Sequence, residues 1–576
     1  MTLSEPRRRF ARFAVCPVLA VIVIGLLATP AFAHAELVGT TPGQGQTVAT
    51  SPKSVSLIFS EQVEASLGSV RVYDGNAKRV DDGRTHQAQG GREVVTDLPQ
   101  LANGYYVVTY RVVSADSHPV SGAFTFKVGT GDVTVDQSLV KRLFGAQGDD
   151  STVAVVFGVT RIVEFLALAA FVGGLLVLAI AWPAGWALRR VRRLLVIGGV
   201  VGLLAVLLSI PLQGAKAGGF ALADAFGWNL ISEVLATRYG VAALVRVIAI
   251  TAALALTFAP GAVRRWGAPA LGVIGLVTLS FAGHASVASP AAPAVVIDAL
   301  HLLGGAYWIG GLALLLFAVL RGTPETEDRG AVVVRITRGF LYAVALIVIT
   351  GIAAAWREVG SLAALTETDF GRLLVGKIGV FLLMLALAVY GRNIVLRRWV
   401  YEYEDDPEDP DELAAVEAER GPLITETEDV RHLRRSVGIE ACFAIIVFAL
   451  TGLLVASVPA KQAYETSRSF QQNVSTADGS YVFDISVNPA SIGPNDVHVT
   501  LTRANGSLVS VLDMSGEMDL EERDIAPIDL QLRRLGSAHY FSPGFSIPIA
   551  GRWRLTVRAQ IDTFTEVSVA ATVPVR

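Results

Sequence analysis

Eight apolar stretches, each long enough to cross the hydrocarbon core of a bilayer, fill the middle of this 576-residue chain. They run over about 152–182, 194–213, 236–258, 268–289, 294–320, 337–357, 372–396 and 437–458. Backbone polar groups in lipid must be satisfied within the chain, so these stretches are expected to form a bundle of eight transmembrane helices. An even number places both flanking segments on one side. Basic residues say which side: Arg189, Arg190, Arg192 and Arg193 follow the first span, Arg264 and Arg265 the third, and Arg321, Arg329, Arg335 and Arg338 the fifth. Arg392, Arg397, Arg398, Arg431, Arg434 and Arg435 border the connection from the seventh to the eighth. Positive loops face the cytoplasm, so both ends are expected outside, on a multi-pass protein of a bacterial inner membrane.

The first residues agree with that topology. Arg7, Arg8, Arg9 and Arg12 precede an apolar run to about Ala28, and Ala31-Phe32-Ala33 is a small-residue cleavage pattern, so residues 1–33 read as a signal peptide. Arg7-Arg8-Arg9-Phe10 also fits a twin-arginine export signal. Cleavage after Ala33 removes Cys16, leaves Cys442 as the one cysteine, and excludes an internal disulfide or a CxxC metal motif. A net charge of −3, segregated along the chain, offers no nucleic-acid-binding face.

The two ends read as β-rich. From His34 to about residue 130, alternating runs such as Val55 to Phe59, Tyr105 to Tyr110 and Ala123 to Val128 are separated by turn residues, which predicts a small barrel or sandwich. A second such segment covers 464–576, with strands expected at Tyr481 to Val487, Val497 to Thr502 and Trp553 to Val557. Between the spans, residues 401–430 hold thirteen acids against one arginine, with Pro407, Pro410 and Pro422, and read as a solvated cytoplasmic loop.

Cleavage would make His34 an N-terminal histidine, whose α-amine and imidazole offer two neutral nitrogens to one metal. Asp116-Ser117-His118-Pro119 follows a long strand, and residues at i and i+2 share a face. His34, Asp116 and His118 together would supply a square-planar set of three nitrogens and one oxygen, which suits Cu(II). An oxygen-activating histidine brace is the enzymatic alternative, but Asp116 would fill the equatorial plane with a hard anion that stabilises Cu(II), so no enzyme is expected.

His34-Ala35-Glu36-Leu37, Thr41-Pro42, Phe59-Ser60-Glu61, Gly104-Tyr105-Tyr106, Asp116 to Gly122 and Phe124-Thr125-Phe126 resemble the CopC family across 34–130. That resemblance implies a cupredoxin-like domain with Cu(II) ligands at His34, Asp116 and His118. Some members add a histidine where this chain has Ile58, and some carry a methionine-rich Cu(I) loop, whereas no methionine occurs between His34 and Gly129. His86 reads as a surface residue.

His284 and His301 form a second constellation, expected near the outer ends of the fourth and fifth spans, with Asp298 one turn from His301. Ionisable residues inside spans are candidate functional groups. Gly283-His284, Asp298 with His301, Trp308 to Gly311 and Thr350-Gly351 resemble the CopD family of copper-transport membrane proteins over about 150–458. Glu164, Arg161, Arg246 and Lys377 also fall in spans; paired charges that fix packing are their expected role, with Glu164 the candidate for a deeper site. Gly371 to Lys377 mimics a phosphate loop, but Ile378 stands where Ser or Thr is required and the stretch is apolar.

The C-terminal segment resembles YtkA-like β-sandwich domains through Gly493 to Val497 and Gly551 to Val557, and His498, His539, Met514 and Met518 are candidates for an auxiliary Cu(I) site. The expected whole is a transporter whose external domain captures Cu(II) and whose spans carry copper inward, as Cu(I) or Cu(II), through His284, His301, Asp298 and Glu164. Its partners would be copper ions, the bilayer, a periplasmic donor and a cytoplasmic copper chaperone. The alternatives are a haem-containing membrane oxidoreductase with His284 and His301 as axial ligands, and copper sequestration or sensing without transport.

Overall fold

The computed structural model describes residues 35–575 apart from 36, 45, 60, 66–69, 115–118, 130–138, 140–141, 144–150, 287–289, 324–327, 400–425, 468, 505–508, 524 and 536–537. The signal segment, His34, Asp116, His118 and the acidic loop up to residue 425 therefore lie outside the described residues.

The N-terminal segment is a β-sandwich. One sheet orders β1 (Leu37–Thr41), β3 (Ser54–Phe59), β7 (Glu93–Asp97) and β6 (Thr85–Ala88). The other orders β2 (Thr47–Val48), β9 (Pro119–Val128), β8 (Gly104–Ser114) and β4 (Val63–Glu64), with β5 (Val70–Asp74) also paired to β8. Strand alternation sends Val55, Leu57 and Phe59 inward against Val108, Phe124 and Phe126, and Phe59 meets Tyr110 edge-on at 5.8 Å. Ala35 belongs to the same core.

Among the described residues, eight helical stretches are long and apolar enough to cross a membrane. In chain order they are α1 (Ser151–Ile180), α2 (Arg189–Gly218), α3 (Arg238–Leu256), the span Val263–Ala282 whose regular part is α4 (Ala268–Val277), α5 (Ala291–Phe317), α6 (Arg329–Val359), α7 (Asp369–Trp399) and α8 (Glu426–Ala456). Small residues set the closest contact. A Cβ on Gly173 of α1 would lie 1.6 Å from the Ala306 carbonyl oxygen of α5, and one on Gly310 would lie 2.1 Å from the Gly174 nitrogen. Van der Waals packing, rather than hydrophobic burial, holds helices together in lipid, so glycine at both positions brings α1 and α5 backbone to backbone.

The arginine-rich ends also converge. The Arg190 guanidinium at the start of α2 donates to the Gly322 carbonyl just after α5, and Arg265, ahead of α4, donates to the Ala179 carbonyl of α1 at 3.1 Å. The loops after the first, third and fifth spans thus meet at one end of the bundle.

The fourth span differs from expectation. Its regular helix ends at Val277, and single 3-10 turns follow at Ser280–Ala282 and His284–Ser286. The Thr278 hydroxyl turns back to the Gly275 carbonyl, Gly283 is extended, and the Ser286 hydroxyl bonds the Gly283 carbonyl, so side chains compete with the helical ladder. His284 is therefore on a turn, not a helix.

The C-terminal segment is a second sandwich. Its sheets order β10 (Phe470–Ser475), β11 (Tyr481–Asn488), β12 (Gly493–Arg503), β16 (His539–Ile547) and β15 (Arg533–Arg534), and β14 (Ile525–Leu530), β13 (Asp513–Leu520), β17 (Gly551–Gln560) and β18 (Glu566–Val575). Phe483, Val499, Trp553 and Val557 fill one core between them.

Candidate functional site

The sequence placed Asp298 and His301 three residues apart, and on α5 that spacing puts them on one face. His301 Nδ1 lies 3.0 Å from Thr350 Oγ1 on α6. Thr350 spends its single proton on the Leu346 carbonyl one turn back, at 2.5 Å, so toward the histidine it accepts. His301 therefore carries its proton on Nδ1, and its Nε2 keeps a lone pair for another partner. Gly351 makes room for this: a Cβ there would stand 3.3 Å from His301 Cε1.

Asp298 faces the hydroxyl of Ser280, a buried residue on the turn that follows α4. Lys377 of α7 lies within electrostatic reach of both Asp298 and His301, and the Arg357–Glu358 pair, 3.0 Å apart at the end of α6, completes the surroundings. Two acids and two bases balance here, around one imidazole. His284 sits on the turn that also holds Ser286, close to the start of α5. Trp308, two turns below His301, is buried and meets Phe381 of α7 edge-on at 5.7 Å.

Glu164 belongs elsewhere. Its Oε1 is 2.7 Å from Arg246 Nη1 of α3, its Oε2 is 3.9 Å from Arg161 Nη1, and both Glu164 and Arg246 side chains are fully buried. Arg246 Nε donates to the Thr278 hydroxyl at 2.9 Å. This cluster joins α1, α3 and the end of α4, and its two guanidiniums leave a formal excess of one positive charge. Sequence reading grouped Glu164 with Arg161, Arg246 and Lys377 as paired charges; the structure pairs it with Arg246 across 82 positions and leaves Lys377 beside Asp298 and His301. Sequence reading also passed over Thr350 as a hydrogen-bond partner and over Ser280, since hydroxyls in spans are common.

The N-terminal candidate ligands flank described strands. Leu37 pairs with Phe59 and Val63 with Ser114, so the start of β1 and the end of β8 lie at the same end of the sandwich. Residue 34 precedes the first and residues 115–118 follow the second. In the C-terminal domain, His498 Nδ1 and His539 Nε2 are 3.0 Å apart, whereas Met514 and Met518 are buried in the core on the other sheet. The structure brings the two histidines together and leaves the methionines out. Among the described residues, no group of three or more His, Cys, Asp and Glu could hold a metal ion.

Residues 37–129 match the CopC domain family, 151–292 the Copper resistance protein D-like N-terminal domain, and 331–454 the Copper resistance protein D family. Copper resistance protein C of Pseudomonas syringae pv. tomato is 32% identical over 18% of this chain and 86% of its own length. The chain belongs to the CopC family, with copper resistance protein D domains matched behind that segment. The order of this CopC–CopD fusion is shared end to end with copper transport protein CutJ of Bacillus subtilis, 24% identical over 96% of this chain and 98% of that one. Copper resistance protein D of Pseudomonas syringae pv. tomato is 29% identical over 43% of this chain and 83% of its own.

Proposed function

We propose that this CopC–CopD fusion is a copper transporter of the cell membrane. Its outward domain takes up Cu(II) at His34, Asp116 and His118, and its helices pass copper inward by way of His284, Asp298 and His301. The observation that carries the membrane step is the 3.0 Å contact of His301 Nδ1 with Thr350 Oγ1, a hydroxyl that itself donates to the Leu346 carbonyl. Thr350 fixes Nδ1 as the donor, so an Nε2 lone pair is presented inside a span, beside a carboxylate.

The arginine-rich ends that meet through Arg190 and Arg265 support cytoplasmic placement of that side, which puts both β-sandwiches outside. Inward movement of a cation then runs down the membrane potential, worth about 2.3 kcal/mol per charge per 100 mV. Glu164 takes no part: its charge is matched by Arg246, and the surplus guanidinium repels a metal ion.

The test is copper uptake into proteoliposomes under a potential of either sense, in the wild type and in His301→Ala. The account expects uptake with the interior negative that His301→Ala abolishes. Uptake that His301→Ala leaves intact, or a Soret band from haem on the purified protein, would overturn it.

A further inference from the structure

The C-terminal sandwich carries the closest histidine pair among the described residues, and the membrane pathway does not use it. His498 is on β12 and His539 on β16, adjacent strands with His498 opposite Phe541 and Thr500 opposite His539, so the two imidazoles are diagonal neighbours. Alternation fixes their face. Val497, Val499 and Tyr540 point into the core, which turns His498, His539 and Phe541 to the outer surface of the sheet.

The ring geometry is directional. The ring centroids are 5.3 Å apart, which is the 3.0 Å nitrogen contact plus about one ring width, and the planes differ by 27°. Nδ1 of His498 and Nε2 of His539 therefore face each other almost in the plane of both rings. Phe541 stacks on His498 at 4.4 Å and holds its plane. Burial keeps both imidazoles below their usual range, His539 at about 4 with the neighbouring His498 adding to the effect, so both are neutral donors at neutral pH.

Donor count decides which ion fits. Zn(II) and Cu(II) want about four ligands, and no third His, Cys, Asp or Glu joins this pair into such a group among the described residues. Asp496, two residues from His498, accepts from the Gly544 nitrogen at 2.8 Å, and Met514 and Met518 are in the core. Two opposed nitrogens suit an ion content with two ligands in line. We propose that His498 and His539 form a separate site for a monovalent soft cation, Cu(I), bound between Nδ1 of His498 and Nε2 of His539. At metal–nitrogen distances of about 2 Å, the nitrogens must part by about 1 Å, a small side-chain rotation. No proton leaves: the imidazole that donates in the 3.0 Å contact moves its hydrogen to its other nitrogen, and the accepting ring already holds its hydrogen there. The site stands whether or not the membrane helices transport copper.

The experiment is an anaerobic Cu(I) titration of the full-length, detergent-solubilised protein against a chromophoric Cu(I) chelator, in a His301→Ala background that removes the membrane ligand. The double substitution His498→Gln/His539→Gln keeps side-chain hydrogen bonding on the surface and should remove one Cu(I) equivalent, while Met514→Leu/Met518→Leu removes none. X-ray absorption of the one-equivalent complex should show two nitrogen scatterers. An unchanged Cu(I) count in the histidine variant overturns the site, as does a bound ion with sulfur in its shell. Zn(II) that competes equally for the same equivalent also overturns the assignment to a two-coordinate ion. Loss of uptake in His301→Ala bears on the membrane reading alone and leaves this count untouched.

Discussion

Two polar clusters sit within the helical bundle and are built on opposite plans. Around Glu164, two arginines surround one carboxylate: Oε1 accepts from Arg246 at 2.7 Å, and Oε2, without a hydrogen-bond partner, faces Arg161 at 3.9 Å. Around His301, charges balance, a threonine hydroxyl takes the Nδ1 proton, and Nε2 is left over. A buried charge in lipid is costly unless paired, so the first arrangement is what helix packing requires of a charge. The second keeps a donor that packing does not require. The contrast teaches that an unspent valence on a buried group marks a cation site only where no surplus positive charge lies beside it.

The largest test breaks the first cluster. Arg246→Ala strands the Glu164 carboxylate and should cost about 3–5 kcal/mol of stability in thermal or denaturant unfolding, without a specific change in copper binding. Copper binding lost beyond the fraction unfolded would erase the contrast. Next, Thr350→Val removes the hydroxyl that fixes the His301 tautomer and should weaken copper binding about 10–100-fold, with Thr350→Ser restoring it. Equal affinity in all three proteins would show that the hydroxyl does not position the ring.

The contrast extends to the outer-face pair, where the two imidazoles satisfy each other. An unfolded histidine protonates near its ordinary value of 6.5, whereas folded His539 does so only at about 4. Between these values the unfolded state binds more protons, so stability falls as pH falls, by about 2 kcal/mol at pH 5. Amide exchange of the C-terminal strands at pH 7 and pH 5, corrected for the intrinsic rate, reads this; protection that rises on acidification would reverse the sign. The smallest effect is expected from Gly351→Ala, whose Cβ would press His301 Cε1 at 3.3 Å. The ring must give by a few tenths of an ångström, so copper affinity should drop only a few-fold, and a loss as large as that of Thr350→Val would mean the ring has no room at all.

Much of the architecture was legible. Span length and arginine placement gave eight helices, and period-two alternation gave strands at both ends, because burial writes itself into sequence as hydropathy. The end of the fourth span was not, since Thr278, Gly283 and Ser286 stop a helix by local hydrogen bonds that apolar counting ignores. Asp298 and His301 were legible as a pair because helical spacing is local. Thr350, 49 positions from His301, was not, because the α5–α6 packing that joins them depends on Gly304 lying against Ala343 and Ile347. His498 and His539, 3.0 Å apart in the structure, were grouped with Met514 and Met518, which lie in the core, since the face of a strand is fixed only by its register in the sheet.

The most direct test of the central claim is copper uptake in proteoliposomes, run side by side for His301→Ala and Glu164→Gln, each scaled to folded protein. The account predicts that His301→Ala abolishes uptake while Glu164→Gln transports like the wild type. Uptake that survives His301→Ala and fails in Glu164→Gln would place the ion at the arginine-bound carboxylate and contradict it.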